Sequence, residues 1–141
     1  MVGGSLRGAG SEILSKAAPA VKMHAGLAPN LDKMLSIVVK AVDAKKGENI
    51  IVLDLSEQVD YLDYLVICSG QTELHNRAIA DHISKELASC DIICSGLQGY
   101  RYGDWIVLDY SSLVVHIFSP SLREFYRLEE LWAAGKEVSI T

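Results

Sequence analysis

The chain holds the residue types for three kinds of chemistry, and their spacing argues against each. Acyl transfer needs a nucleophile, a base and an acid that orients the base. Serines and His116 are present, but no Gly-x-Ser-x-Gly elbow occurs. His116 stands between Val115 and Ile117, a setting for a hydrogen-bonded structural or interface histidine. Nucleotidyl transfer needs paired carboxylates on a strand to hold two divalent ions. Asp109 has no second acid two positions away, and Asp104, five residues earlier, points to the opposite face of one straight strand. Asp54 and Asp63 could join Asp109 only if the fold gathered distant segments. For metal, Cys90-x3-Cys94 is not a usual zinc spacing, and His75 and His82 lie seven apart instead of four. Gly70 follows an apolar run but lacks the Gly-rich repeat of a phosphate loop. No cofactor, metal or catalytic centre is expected.

The elements that would position these residues can be read from periodicity. Leu31, Met34, Leu35, Val38, Val39 and Val42 form one helical face, with Asn30 as N-cap and Gly47 just past the end. Ile50–Leu55 and Asp63–Gly70 read as strands, the first buried on both faces. Thr72 is placed to cap a helix whose stripe is Leu74, Ala78, Ile79, Ile83 and Leu87. Ile92-Ile93-Cys94 reads as a short strand, and Gly96, Gly99 and Gly103 as a turning connection that displays Tyr100 and Tyr102. Trp105, Val107 and Asp109 alternate with Ile106, Leu108 and Tyr110. Leu113–Phe118 resumes the run after Ser111-Ser112, which predicts an antiparallel hairpin. Ser121-x-x-Glu124 is a capping-box pattern for a last helix that runs past Trp132 to Gly135.

Composition narrows the partners. The chain has 141 residues, half of them hydrophobic, which suffices for one domain with a core, and no run of eighteen apolar residues suggests a membrane span. Cys68, Cys90 and Cys94 lie in apolar stretches and read as reduced thiols of a cytosolic protein. Arg7, Lys16 and Lys22 against Glu12 give residues 1–30 a net charge of +2, so the remainder of a chain at −5 carries −7. An acidic domain is a poor match for nucleic-acid phosphates and a better one for a basic protein. Residues 1–30, rich in Gly, Ala and Ser, read as a flexible leader, an added segment or a targeting segment. Residues 31–134 make the domain and 135–141 a tail.

Taken in order, Gly103-Asp104-Trp105, Asp109, Val114-Val115-His116-Ile117-Phe118 and Arg123-Glu124-Phe125-Tyr126-x-Leu128-Glu129-x-Leu131-Trp132 resemble the ribosomal silencing factor (Iojap) family. Asp63-Tyr64-x-Val66-Ile67 with Gly70 extends the match. The resemblance implies an α/β (α+β) fold with a mixed five-stranded sheet flanked by helices, in the order α-β-β-α-β-β-β-α, similar to nucleotidyltransferases. It also implies a non-enzymatic protein that binds the large ribosomal subunit at its intersubunit face, through the fourteenth large-subunit protein. Such binding blocks small-subunit joining and represses translation under nutrient limitation. A nucleotidyltransferase-like enzyme and a self-associating adaptor are the alternatives, and a homodimer off the ribosome is compatible with the first reading. The expected partner-binding residues are Trp105 and Tyr126 as anchors, Asp104, Asp109 and Glu124 as charge partners, and His75 and His116 as polar contacts. This chain departs from the family at Gln98-Gly99 (commonly Glu-Gly), at Ser111-Ser112 (commonly Gly-Asp) and at Leu74 (commonly Arg).

Overall fold

The computed structural model describes residues 31–127, 130, 136 and 137. The first helical stripe forms α1 (Leu31–Ala44), which buries Met34, Leu35, Val38, Ala41 and Val42. Asn30, the expected cap, lies outside the described residues. At the other end Lys46 takes the left-handed conformation (φ 61°). The Gly47 amide then returns to the Val42 carbonyl at 2.9 Å, so close that a Cβ on Gly47 would run into Val42 Cγ1. β1 (Glu48–Asp54) and β2 (Tyr64–Ser69) pair antiparallel, with a bulge between Glu48 and Ile51 where Asn49 has φ 52°.

Thr72 caps α2 (Glu73–Ala88), its hydroxyl accepting the His75 amide at 3.0 Å. The buried face is Asn76, Ile79, Ala80, Ile83 and Leu87. Leu74, expected on that face, is 72% exposed, because the stripe at 76, 79/80, 83 and 87 turns it outward. The expected strand at Ile92–Cys94 does not form. Asp91 is left-handed (φ 62°) and the Ile92 amide folds back onto the Leu87 carbonyl at 2.9 Å, so this stretch completes the helix C-terminus. The strand begins later, as β3 (Gly96–Gln98).

β4 (Trp105–Asp109) and β5 (Leu113–Phe118) form the expected hairpin. α3 (Pro120–Tyr126) starts two residues earlier than the capping-box reading: Ser119 is the N-cap, without a side-chain cap bond, and Pro120 opens the helix. Proline there removes one amide that would otherwise need a partner. The helix stops at Tyr126 because Arg127 is left-handed (φ 49°); Trp132 and Gly135 lie outside the described residues. Lys136 and Glu137, expected in a tail, form β6 against Leu53 and Asp54 of β1.

The sheet order is β3-β4-β5-β2-β1-β6. β2 and β5 run parallel at the centre, and the other pairs are antiparallel. The expected five-stranded mixed sheet is therefore present, with β6 extending its β1 edge. One face packs under α1 and α2, joining Val38, Val42, Ile79 and Ile83 to Val66, Ile106 and Val115. The other holds Leu53, Leu65, Ile67, Val107, Val114 and Phe118 beneath the β1–β2 connection and α3. Cys68 is buried, and burial pushes its thiol up to about 12. Cys90, expected in apolar surroundings, is exposed. Among the described residues no helix is long and apolar enough to cross a membrane.

Candidate partner-binding site

Trp105 opens β4 on the face that α1 and α2 leave free. Its register partner across the hairpin is Phe118, and the rings stack with centroids 5.0 Å apart. Tyr126, at the end of α3, tilts against the same indole at 5.3 Å and meets Phe125 edge-on at 5.3 Å. The indole N–H donates to His116 Nδ1 at 2.9 Å, which fixes the proton of His116 on Nε2. His116 is buried, and burial pushes its pKa down to about 3. A neutral imidazole in this position is a fixed acceptor that orients the indole. Trp105, His116, Phe118 and Tyr126 therefore form one aromatic cluster, with Trp105 and Tyr126 half-buried and Phe125 60% exposed.

Two exposed acids lie on the segments that supply this cluster. Asp104 is exposed immediately before Trp105, and its carbonyl accepts the Ser119 amide at 2.8 Å, which ties the start of β4 to the start of α3. Glu124 is exposed on α3. It lines a cleft of about 520 Å³ shared with Asn49, Ile51, Ser69, Pro120, Arg123 and Arg127. Trp105, Tyr126, Asp104, Glu124 and His116 are thus brought to one end of the sheet.

Two expected residues lie elsewhere. Asp109 is 3% exposed at the far end of β4, where its carboxylate accepts the Ser111 amide at 2.8 Å. His75 sits in the first turn of α2. Its Nδ1 accepts the Gln71 amide at 2.9 Å, so Nε2–H donates to the Lys45 carbonyl at 2.6 Å; it fastens α2 to the end of α1. Sequence reading missed Asn76, which is fully buried and bonded to both Gly70 and Gly103. Its signal was available: a polar residue in phase with Ile79, Ile83 and Leu87. Asp54 and Asp63 border a separate recess with Asp32 and Tyr64, while β5 and β2 stand between β4 and β1.

A family model described as "ribosomal silencing factor during starvation" matches residues 28–141. The chain belongs to the ribosomal silencing factor family. A ribosomal silencing factor of Halalkalibacterium halodurans is 32% identical over 108 residues, covering 77% of this chain and 92% of that protein. A mouse protein named mitochondrial assembly of ribosomal large subunit protein 1 is 28% identical over 114 residues, 77% of this chain and 47% of that protein. The crystal structure of a Chromobacterium violaceum protein superposes with a TM-score of 0.73 at 25% identity, covering 79% of this chain and 92% of that one.

Within a silencing-factor fold, this chain's departures fall at defined places. Ser111 occupies the hairpin turn in the left-handed region (φ 71°), where a glycine would carry no Cβ strain. Gln98 pairs with Val107 at the edge strand. Leu74 and Tyr102 are both strongly exposed, and the turn that carries Tyr102 lies along α2, since the Arg77 guanidinium donates to the Arg101 carbonyl at 3.3 Å.

Proposed function

We propose that this protein binds the large ribosomal subunit at its intersubunit face, through the fourteenth protein of that subunit. Bound there, it blocks joining of the small subunit and lowers translation when nutrients are limiting, acting in the cytoplasm. The observation that carries this reading is the Trp105–Tyr126 cluster, preceded directly by exposed Asp104 and carried on the same short helix as exposed Glu124, in a domain that the silencing-factor family model matches over residues 28–141. A half-buried indole held by a buried neutral histidine is a rigid aromatic anchor, and aromatic anchors beside polar groups dominate many interfaces. The acidity of the chain complements basic ribosomal proteins and favours fast encounter at low salt. The mouse relative's name, which speaks of large-subunit assembly, supports the same partner. Trp105, Tyr126, Asp104 and Glu124 make the contacts in this reading. His116 orients the indole that makes them, while Asp109 and His75 hold the hairpin turn and the α1–α2 junction instead. Off the ribosome the same aromatic surface is open to a second copy of the chain.

The test is co-sedimentation with purified large subunits, followed by a subunit-joining assay on the same samples. Wild-type protein is expected to pellet with large subunits and to prevent joining, and a folded Trp105→Ala/Glu124→Ala variant to do neither. Wild-type protein that stays in the supernatant across a range of salt overturns the reading, and a stable homodimer without ribosome affinity would replace it with self-association.

A further inference from the structure

We propose that Asn76 is the positioning residue of this surface: its side-chain amide clamps the 99–104 turn to the end of β2 and so sets where Asp104 and Trp105 are displayed. The inference rests on the functional reading above for its binding consequence and on geometry alone for the clamp.

Asn76 Oδ1 accepts the Gly70 amide at 2.9 Å, and its Nδ2 donates to the Gly103 carbonyl at 2.7 Å. Gly70 directly follows β2, and Gly103 directly precedes Asp104. One side chain therefore joins two loops that the sequence separates by 33 positions. The turn has further ties. The Gly103 amide donates to the Gly99 carbonyl at 2.9 Å, the Tyr100 hydroxyl donates to the Asp81 carboxylate at 2.8 Å, and Arg77 reaches the Arg101 carbonyl. The side-chain ties from Asp81 and Arg77 are exposed and compete with water. Asn76 is fully buried, so removing its amide leaves two backbone groups unpaired away from solvent.

The fit is close on both sides. A Cβ at Gly70 would collide with Asn76 Oδ1. A Cβ at Gly103, which has φ 79°, would come 2.9 Å from Glu73 Cβ. Gly70 thus lets the end of the strand approach the asparagine, and Gly103 lets the turn lie against Glu73 and Arg77 of α2 in a left-handed conformation that favours glycine. From Gly103 the chain passes through Asp104, whose carbonyl holds the Ser119 amide, into Trp105. A turn released from Asn76 shifts the Asp104 carbonyl and the indole together.

The experiment compares wild type with Asn76→Asp, Asn76→Leu and, as a control in the same helix, Ile83→Val. Asn76→Asp keeps an acceptor for Gly70 and sets oxygen against the Gly103 carbonyl. Asn76→Leu removes both bonds at similar volume, and Ile83→Val lowers stability without touching the turn. Backbone amide exchange by NMR and Trp105 fluorescence read the clamp without any ribosome. Faster exchange at Gly103 in both Asn76 variants, at Gly70 in the Leu variant alone, and at neither in Ile83→Val is the expected pattern. Binding to large subunits should then fall by about tenfold or more in the Asn76 variants, and by nothing further when Asn76→Leu is added to Trp105→Ala. Unchanged exchange at Gly103 overturns the clamp. Altered exchange with full binding overturns its functional consequence. Wild type that fails to bind overturns the ribosome reading while leaving the clamp to the exchange data.

Discussion

The two faces of the sheet use aromatic and aliphatic residues for different ends. Under α1 and α2 the contacts are mainly aliphatic, with Tyr110 at one end, and the centre is closed: Val38, Val42, Ile79, Ile83, Val66, Ile106 and Val115 are all fully buried. On the opposite face the aliphatic part, Leu55, Leu62, Leu65 and Ile67, is equally buried beneath the β1–β2 connection. Toward the start of β4 that face changes character. It becomes aromatic, contains a histidine, and ends in half-buried Trp105 and Tyr126. One side of the sheet is finished by its own helices. Among the described residues the other is finished only in part, and Trp105 and Tyr126 lie where it is incomplete.

That contrast can be broken or sharpened by substitution. The largest effect on stability is expected at Ile83→Ala, which opens a cavity in the closed face and costs about 2–5 kcal/mol. Urea titration would measure it, and large-subunit affinity per folded molecule should not move. Trp105→Ala is expected to reverse the ratio. As an anchor it should cost about 2 kcal/mol or more of binding, a factor of about 30 in Kd, with a smaller stability loss in the same titration. If the two variants affected stability and binding in equal proportion, the two faces would not be functionally distinct.

His116 gives the open face a pH dependence. Its pKa is near 3 in the folded protein, below the ordinary value of 6.5, so the unfolded chain takes up the proton first as pH falls. The stability that His116 contributes is therefore complete above pH 6.5 and drains as pH drops toward 3, by at most about 1.4 kcal/mol per pH unit. A His116→Gln variant should show a shallower loss between pH 6 and pH 4 in urea titrations, and parallel curves would remove the histidine from the account. The smallest effect is expected at Ser111→Gly, a stabilisation of about 0.5–1 kcal/mol from relief of the left-handed turn, read as a rise in Tm with binding unchanged.

Much of this arrangement was legible in the residues. Alternation along Trp105–Tyr110 assigned each side chain to its face, and the Ser111-Ser112 break located the hairpin. The misses have common causes. Leu74 and the Ile92–Cys94 segment were misread because apolar type outweighed phase: Leu74 lies off the buried helical face, and Ile92 follows a left-handed residue that ends α2. The Ser121–Glu124 pattern lost to Pro120, whose fixed φ already starts a helix. Of the site residues, Trp105, Tyr126, Asp104 and Glu124 fell together because two neighbouring segments supply them. Asp109 was misplaced because a strand residue near a turn is claimed by the turn's own unpaired amides. Asn76 escaped notice because the stripe was read from its apolar members alone, although Asn76 lies in phase with Ile79, Ile83 and Leu87.

The parallel pairing of β2 with β5 has a consequence for how the chain is made. Tyr64 is matched with Leu113 and Ser69 with Phe118, so β2 meets its central partner only after about fifty more residues have been synthesised. α1, β1 and β2 can assemble as soon as they emerge, yet one edge of β2, with Val66 and Ile67 on it, stays unpaired until Leu113–Phe118 arrives. An unpaired apolar edge in a nascent chain invites wrong pairings. For this protein the interval of greatest exposure to misfolding is therefore spent while it is still attached to a translating ribosome.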